Sequence, residues 1–195
     1  IERKLIGGTC VNVGCIPTKT LIASARAAHV ARRAADFGVV LDGAVRVDMA
    51  RVKARKDAMV GQSNTNVAKW IRDAPNVTLI EGHARFESSR SVRVGERMLE
   101  APQIFINVGG RAAVHGVEGL AGVPYFTNTG MMGVDFVPEH LLIVGGSYIG
   151  LEFAQMYRRF GSTVTVVEMG PRLIGREDEH VSAAIQEILE AEGVA

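Results

Sequence analysis

The spacing of hydrophobic residues predicts two helices followed by several short strands. Apolar residues recur at helical spacing through the alanine-rich residues 19–35 and again through residues 48–72, where Asp48 is placed to cap the helix. The chain then changes to short β-prone segments separated by glycine, serine or proline. These segments are residues 77–81, 83–86, 91–94 and 103–108. The pattern predicts a small antiparallel β insertion after the two helices.

The last third of the chain alternates between strand and helix patterns. Residues 109–137 are rich in glycine, proline and turn residues, which is typical of a crossover between domains. The apolar run at residues 141–144 predicts a buried strand, a helix follows to about residue 160, and residues 164–168 predict a second strand. This order is a βαβ unit. One more amphipathic helix is predicted at residues 178–192.

Length and composition are those of a globular protein. The chain has 195 residues, 47% of them hydrophobic, and a formal net charge of +1, which is enough for one large domain or two small ones. No apolar run is long enough to cross a membrane, and the first residues do not form a signal peptide, so we expect a cytoplasmic protein. The basic residues of the first two helices predict a solvated face rather than a nucleic-acid partner.

The only two cysteines, Cys10 and Cys15, lie in one motif, GGTCVNVGCIPTK, at residues 7–19. Pro17 suits the first turn of a helix, which places Cys15 at the positive end of the helix dipole, where a thiolate is favoured. These features favour a redox-active disulfide. A structural disulfide scaffold would spread its cysteines along the chain, and zinc normally takes four N or S ligands. A zinc site and two ordinary buried cysteines are the remaining alternatives.

A second motif, GGSYIG at residues 145–150, connects the strand and helix of the βαβ unit. It matches the dinucleotide fingerprint Gly-x-Gly-x-x-Gly except that Ser147 replaces the middle glycine. Gly145 would allow the tight turn, the helix N-terminus would receive a pyrophosphate, and Gly150 would let the helix approach the strand. Glu168, about twenty positions on, can bind a ribose 2′-hydroxyl and would repel a 2′-phosphate, which predicts NADH over NADPH. A turn that binds nothing is the alternative.

With both motifs, the chain resembles the class I pyridine nucleotide-disulfide oxidoreductases, which include dihydrolipoamide dehydrogenase, glutathione reductase and mercuric reductase. The redox motif of that family is matched by residues 7–19 without a gap. Residues 176–178 look more like the mercuric and dihydrolipoamide branches than like glutathione reductase. The usual Ala-Thr-Gly at the end of the flavin domain appears here as residues 107–109, Asn-Val-Gly.

The resemblance implies an α/β fold of Rossmann-like, doubly wound FAD- and NAD(P)-binding domains, both incomplete in this chain. Residues 1–112 would form the FAD-binding domain without its N-terminal βαβ unit, and residues 113–195 the first half of the NAD(P)-binding domain. The absent C-terminal half would supply a catalytic His-Glu pair and the dimer interface. We therefore expect a homodimer in the full-length protein and an inactive 195-residue chain.

The resemblance also implies roles for individual residues. Cys15 would be the charge-transfer thiol against the flavin, and Cys10 the interchange thiol that meets the substrate. Lys19 would lie near flavin N5 and pair with Glu152, and Tyr148 would cover the nicotinamide pocket until the cofactor displaces it. The residues implied to bind cofactors are Gly8, Thr9, Lys19, Gly82, His83, Ala84, Gly109, Gly145, Ser147, Tyr148, Ile149, Gly150, Glu152 and Glu168.

The predicted activity is electron transfer between NAD(P)H, FAD and a Cys10–Cys15 disulfide, to or from a small dithiol or disulfide, as in dihydrolipoamide dehydrogenase. We expect FAD and NAD(H) as cofactors, with NADP(H) as the alternative. A metal-ion reductase like mercuric reductase would need further thiols to hand over the metal. A non-catalytic nucleotide-binding module is the rival from another class. No resident metal, nucleic acid or membrane is expected as a partner.

Overall fold

A computed structural model describes residues 1–114 and 116–195, so that His115, placed by the sequence in the crossover, lies outside the described residues. Helices and strands occur in both halves, in agreement with the predicted α/β class. The helices are α1 (Gly8–Asn12), α2 (Cys15–Arg32), α3 (Met49–Asp73), α4 (Asn128–Met131), α5 (Tyr148–Phe160) and α6 (Glu179–Ala191). The strands are β1 (Ala84–Phe86), β2 (Ser91–Val94), β3 (Arg97–Glu100), β4 (His140–Val144) and β5 (Thr163–Val167).

The chain forms two compact units, each built from two segments. The first contains Ile1–Pro17 and Ala58–Thr129, and the second contains Thr18–Asp57 and Gly130–Ala195. Helices α2 and α3 therefore contribute residues to both units. The division into cofactor-binding domains after residue 112 stays a prediction. No helix within residues 1–114 and 116–195 is both long and apolar enough to span a bilayer.

The first unit contains the predicted antiparallel β insertion. Its order is β1-β2-β3, with Phe86 opposite Val92 and Val94 opposite Arg97. Val92 and Val94 are buried, because alternate residues of the central strand face the same side. Strand β3 follows a tight turn at Gly95, whose φ of 58° favours glycine, and this hairpin partner was not predicted.

Two predicted strands of the first unit are wrong. Residues 77–81 make a single parallel bridge, between Glu2 and Glu81. The described residues 103–108 form no strand, and Phe105 and Val108 are largely exposed. A β-prone segment becomes a strand only when another backbone segment lies beside it and completes the hydrogen bonds. The hydrophobic pattern of one segment does not indicate whether such a neighbouring segment exists.

The second unit contains the predicted βαβ unit. Strands β4 and β5 are parallel, with His140 opposite Thr163 and Val144 opposite Val167, and α5 connects them. The buried face of α5 packs on this pair through residues at helical spacing. These residues are Leu151, Phe153, Ala154, Met156, Tyr157 and Phe160. Burial raises the pKa of Tyr157 to about 12, so its hydroxyl stays protonated in the core.

Polar contacts hold α2 against α5 and α6 within the second unit. The Arg32 guanidinium donates to the backbone carbonyls of Arg159 and Phe160 at the end of α5. The Arg159 side chain in turn donates to both carboxylate oxygens of Glu192, at 2.6 and 2.7 Å, and this contact lowers the pKa of Glu192. Helix α2 is therefore held at its C-terminal end by the last turn of α5.

Candidate functional site

The two cysteines lie on consecutive helices of the first unit. Cys10 is in α1 and Cys15 is the first residue of α2, and both are exposed free thiols in the part of the chain that the structure describes. A hydrogen bond with Cys15 raises the pKa of the Cys10 thiol above its ordinary value. Cys10 therefore holds its proton more firmly than an ordinary cysteine.

Glycines and an asparagine determine the shape of the cysteine motif. Gly7 has φ of 95°, and a Cβ there would lie 2.6 Å from the Cβ of Val11. Asn64 of α3 donates to the Ile6 carbonyl at 2.6 Å and to the Asn12 side chain at 3.0 Å. Asn64 was missed by the sequence analysis, because a contact between residues 52 positions apart leaves no local signal. It ties the motif to α3 within the first unit.

The residues expected to bind FAD fall in two places of the first unit. A Cβ on Gly109 would lie 4.0 Å from the Thr9 hydroxyl, so these two residues are close together, and Gly8 is the neighbour of Thr9 in α1. Gly82 has φ of 149° and directly faces Val94, whose Cγ1 lies 2.5 Å from the position of a Cβ. Residues 82–84 thus lie at the start of β1, beside the three-stranded sheet. At Gly82 the absent side chain makes room for Val94, whereas no described atom lies within 4 Å of the position of a Cβ on Gly8, which leaves that backbone open to a ligand.

Lys19 and Glu152 form an ion pair that joins α2 to α5 within the second unit. The Lys19 side chain is 64% exposed and that of Glu152 is 34% exposed. An exposed pair of this kind contributes about 0–1 kcal/mol to folding, because water and salt screen the charges. The ion pair therefore stabilises the fold little. Its second effect is to hold the Lys19 ammonium beside the first turns of α5.

The turn at residues 145–150, called the nucleotide turn below, needs both of its outer glycines. Gly145 has φ of 109°, and its N–H donates to the Val167 carbonyl at 2.8 Å. A Cβ on Gly150 would lie 2.2 Å from the Gly145 carbonyl oxygen, a distance too short for any side-chain carbon, so only glycine fits here. Ser147 is the N-cap of α5, and among the described residues its hydroxyl does not cap the helix. Backbone donors of the first turn are available to an anionic group, so the turn fits a pyrophosphate.

Glu168 lies directly after β5 and faces the nucleotide turn. Its two carboxylate oxygens accept hydrogen bonds from the N–H groups of Gly170 and Gly146, each at 2.7 Å. These two bonds lower the pKa of Glu168, which is therefore ionised at neutral pH. Each oxygen keeps a further lone pair for a ligand hydroxyl.

Two neighbours of the turn were missed by the sequence analysis. The Ile174 N–H donates to the Gly146 carbonyl at 2.8 Å, and Glu177 accepts a hydrogen bond from the Tyr148 hydroxyl, which raises the pKa of Tyr148. Both lie in the loop between β5 and α6, and hydrophobic periodicity carries no information about such a loop. Across the part of the chain that the structure describes, no three His, Cys, Asp or Glu side chains are grouped to hold a metal ion.

The chain is similar to known flavoproteins along its whole length. A family model described as pyridine nucleotide-disulphide oxidoreductase matches residues 1–195. Mercuric reductase of Streptomyces lividans is 36% identical over an alignment of 199 positions, gaps included, which covers 100% of this chain and 42% of that protein. Dihydrolipoyl dehydrogenase of Bacillus subtilis (strain 168) is 34% identical, over 100% of this chain and 43% of that protein.

Solved structures of related proteins have a similar fold. HOCl-induced flavoprotein disulfide reductase RclA from Escherichia coli has a TM-score of 0.81 at 34% identity, over 97% of this chain and 40% of that chain. The chain thus spans about two fifths of the length of these relatives. The match confirms the predicted Rossmann-like α/β fold.

Proposed function

Because the chain belongs to the pyridine nucleotide-disulphide oxidoreductase family, whose members bind FAD and NAD(P)H, we propose that it exchanges electrons between NADH and a small dithiol or disulfide. The observation that carries this proposal is the pair of exposed thiols, Cys10 and Cys15, of which Cys10 has a raised pKa. Two exposed thiols in one motif suit sequential exchange, in which one attacks the substrate and the other closes the disulfide. The activity closest to this chemistry is that of dihydrolipoamide dehydrogenase.

We assign both cofactors to residues that the structure describes. The nucleotide turn would hold the pyrophosphate of NAD(H) and Glu168 its adenosine ribose, while Thr9, Gly109 and residues 82–84 would contact FAD. Two-electron relay between a nicotinamide nucleotide and a protein disulfide is the chemistry that FAD supplies in this family. The ion pair with Glu152 holds the Lys19 ammonium in one place, where it can balance negative charge that develops nearby.

The thiol chemistry needs only the two cysteines and a base. After losing its proton to the base, the Cys10 sulfur attacks one sulfur of a substrate disulfide, and the first substrate thiol leaves. The Cys15 thiolate then attacks the Cys10 sulfur of the mixed disulfide, which forms the Cys10–Cys15 disulfide and releases the second thiol. Two electrons pass from the cysteines to the substrate. The reverse sequence oxidises a dithiol. We place these reactions in a cytoplasmic homodimer of the full-length protein.

A second candidate is reduction of a metal ion at the same thiols. It is favoured by the mercuric reductases among the relatives and by a solved relative described as a Cu(II) complex of RclA, 34% identical to this chain. A soft metal ion would bind the two thiolates as substrate.

The proposal is tested by anaerobic titration of the complete, FAD-loaded protein with NADH, followed in the visible spectrum. We expect the flavin band to bleach and a long-wavelength thiolate absorption to appear at about two electrons per site. Dihydrolipoamide, disulfide and mercuric ion added afterwards would identify the acceptor. A flavin that stays oxidised under NADH would contradict the proposal and favour a non-catalytic nucleotide-binding module.

Replacing Glu168 by alanine is expected to reduce the preference for NADH over NADPH by roughly tenfold or more, since a charged acceptor for the 2′-hydroxyl is lost together with its repulsion of a 2′-phosphate. Dissociation constants of both nucleotides would be measured by fluorescence titration. Glu187→Ala, at an exposed position of α6, is the matched control. An unchanged ratio of the two constants would show that Glu168 does not select the nucleotide.

A further inference from the structure

We propose that Glu177 controls how readily a nicotinamide nucleotide reaches the nucleotide turn, by holding the Tyr148 hydroxyl in a hydrogen bond. The inference rests on the proposed nucleotide-binding role of that turn. The sequence analysis used Glu177 only as part of a segment that marks a branch of the family. The structure assigns it a contact with a residue of the turn itself.

The contact places an aromatic ring beside the donors of the turn. Tyr148 is the first residue of α5 and directly follows the N-cap Ser147. Its side chain also lines a groove of about 250 Å³ together with Glu152, Ile174 and residues of α5 and α6. The hydrogen bond to Glu177 holds the ring beside this groove. A dinucleotide whose pyrophosphate lies on the α5 N-terminus would meet that ring first.

Glu177 is itself held in place by the loop between β5 and α6. Its N–H donates to the Ile174 carbonyl at 2.8 Å, and its own carbonyl accepts a bond from Arg172 at 3.3 Å. Ile174 donates in turn to the Gly146 carbonyl at 2.8 Å. Residues 174–177 are therefore attached to the nucleotide turn at two points, through Gly146 and through Tyr148.

The backbone at Ile174 indicates that this attachment is constrained. Ile174 is 5% exposed and has φ of 40°, a region that β-branched residues rarely adopt. Such a conformation persists only where the surroundings determine it, here through burial and the two backbone bonds to Gly146 and Glu177. Glu177 thus reaches Tyr148 from a firmly held loop, and its carboxylate is a fixed partner for the phenol.

This arrangement has a consequence for affinity. A nucleotide that displaces the ring must break the Tyr148–Glu177 bond, so only the fraction of molecules with a released ring is ready to bind. The apparent dissociation constant is higher than the intrinsic one by the inverse of that fraction. Removing either partner of the bond should therefore tighten binding, although it removes a contact from the free protein.

The experiment compares Tyr148→Phe, Glu177→Ala and the double variant in the complete, FAD-loaded protein. Equilibrium dissociation constants for NADH are measured by calorimetry, without turnover. Each single variant is expected to bind NADH roughly three- to tenfold more tightly, as follows from the loss of one hydrogen bond. The double variant is expected to be no tighter than the better single variant, because both remove the same bond. Glu187→Ala, which makes the same truncation and charge change at an exposed position of α6, is expected to match the wild type.

The outcomes separate this inference from the proposed function. If the wild type does not bind NADH, the role of the nucleotide turn is wrong and the inference fails with it. If the wild type binds and Tyr148→Phe is unchanged or weaker, the inference alone is overturned. If only Glu177→Ala binds more tightly, the effect is relief of charge repulsion with the pyrophosphate, which also overturns the inference.

Discussion

Replacement of Cys15 by serine is expected to lower NADH-dependent disulfide reduction by roughly a thousandfold or more. A serine hydroxyl stays protonated at neutral pH and cannot form a disulfide, so the mixed disulfide on Cys10 would have no internal thiolate to resolve it. Cys15 also begins α2, where the helix dipole favours a negative sulfur. Steady-state rates with dihydrolipoamide or a small disulfide in the complete, FAD-loaded protein would measure the loss.

Cys10→Ser is the variant to compare with Cys15→Ser, because it removes the other thiol of the same motif. It is expected to lose a similar factor in turnover and to keep the long-wavelength absorption of a thiolate, which Cys15→Ser should lose. Removal of Cys10 also removes the hydrogen bond that the two thiols share. If Cys15→Ser kept the absorption and Cys10→Ser lost it, the two roles would be the reverse of those proposed.

Replacement of Gly150 by alanine is expected to weaken NADH binding by roughly a hundredfold and to destabilise the fold by about 1–3 kcal/mol. The new Cβ would lie 2.2 Å from the Gly145 carbonyl oxygen and 3.3 Å from Cγ2 of Ile143. The nearest atom is backbone and cannot rotate away, so α5 would have to move from the turn and carry its N-terminal donors with it. Calorimetric titration with NADH and urea unfolding would measure the two effects.

Gly61→Ala is the matched control, because Gly61 is also a helical glycine. No described atom lies within 4 Å of the position of its Cβ. Alanine in the middle of α3 is expected to stabilise the protein by about 0.5–1 kcal/mol and to leave NADH affinity unchanged. Normal NADH affinity in Gly150→Ala would contradict the assigned role of the turn, even if that variant were less stable.

Much of the secondary structure was predictable because its signals are local. Asp48 caps α3 as predicted, accepting the Arg51 N–H at 3.0 Å, and α3 ends at Asp73, just before Pro75. The βαβ unit was recognisable because an apolar strand, a glycine-rich turn and an amphipathic helix follow one another without interruption. In contrast, residues 103–108 have the composition of a strand and do not form one.

The residues of the candidate site also divide into those that the sequence identified and those that only the structure revealed. The two cysteines, the outer glycines of the nucleotide turn and Glu168 were identified from motifs in which the spacing itself carries the chemistry. The contacts of Asn64, Ile174 and Glu177 were not identified, because each joins residues that are far apart in sequence and none repeats a recognisable spacing. The Lys19–Glu152 pair was expected only from the family resemblance, and the structure contains it.

The sequence by itself thus determined the four longer helices, the βαβ unit, the family and the two motifs, because backbone propensity, hydrophobic period and motif spacing act over a few neighbouring residues. The short helices α1 and α4 were not predicted. The tertiary structure decided which β-prone segments found a partner, that a hydrogen bond with Cys15 raises the pKa of Cys10, and which loop residues bond to the Gly146 carbonyl and the Tyr148 hydroxyl. These depend on hydrogen bonds and close approaches between distant segments, which exist only once the chain has folded.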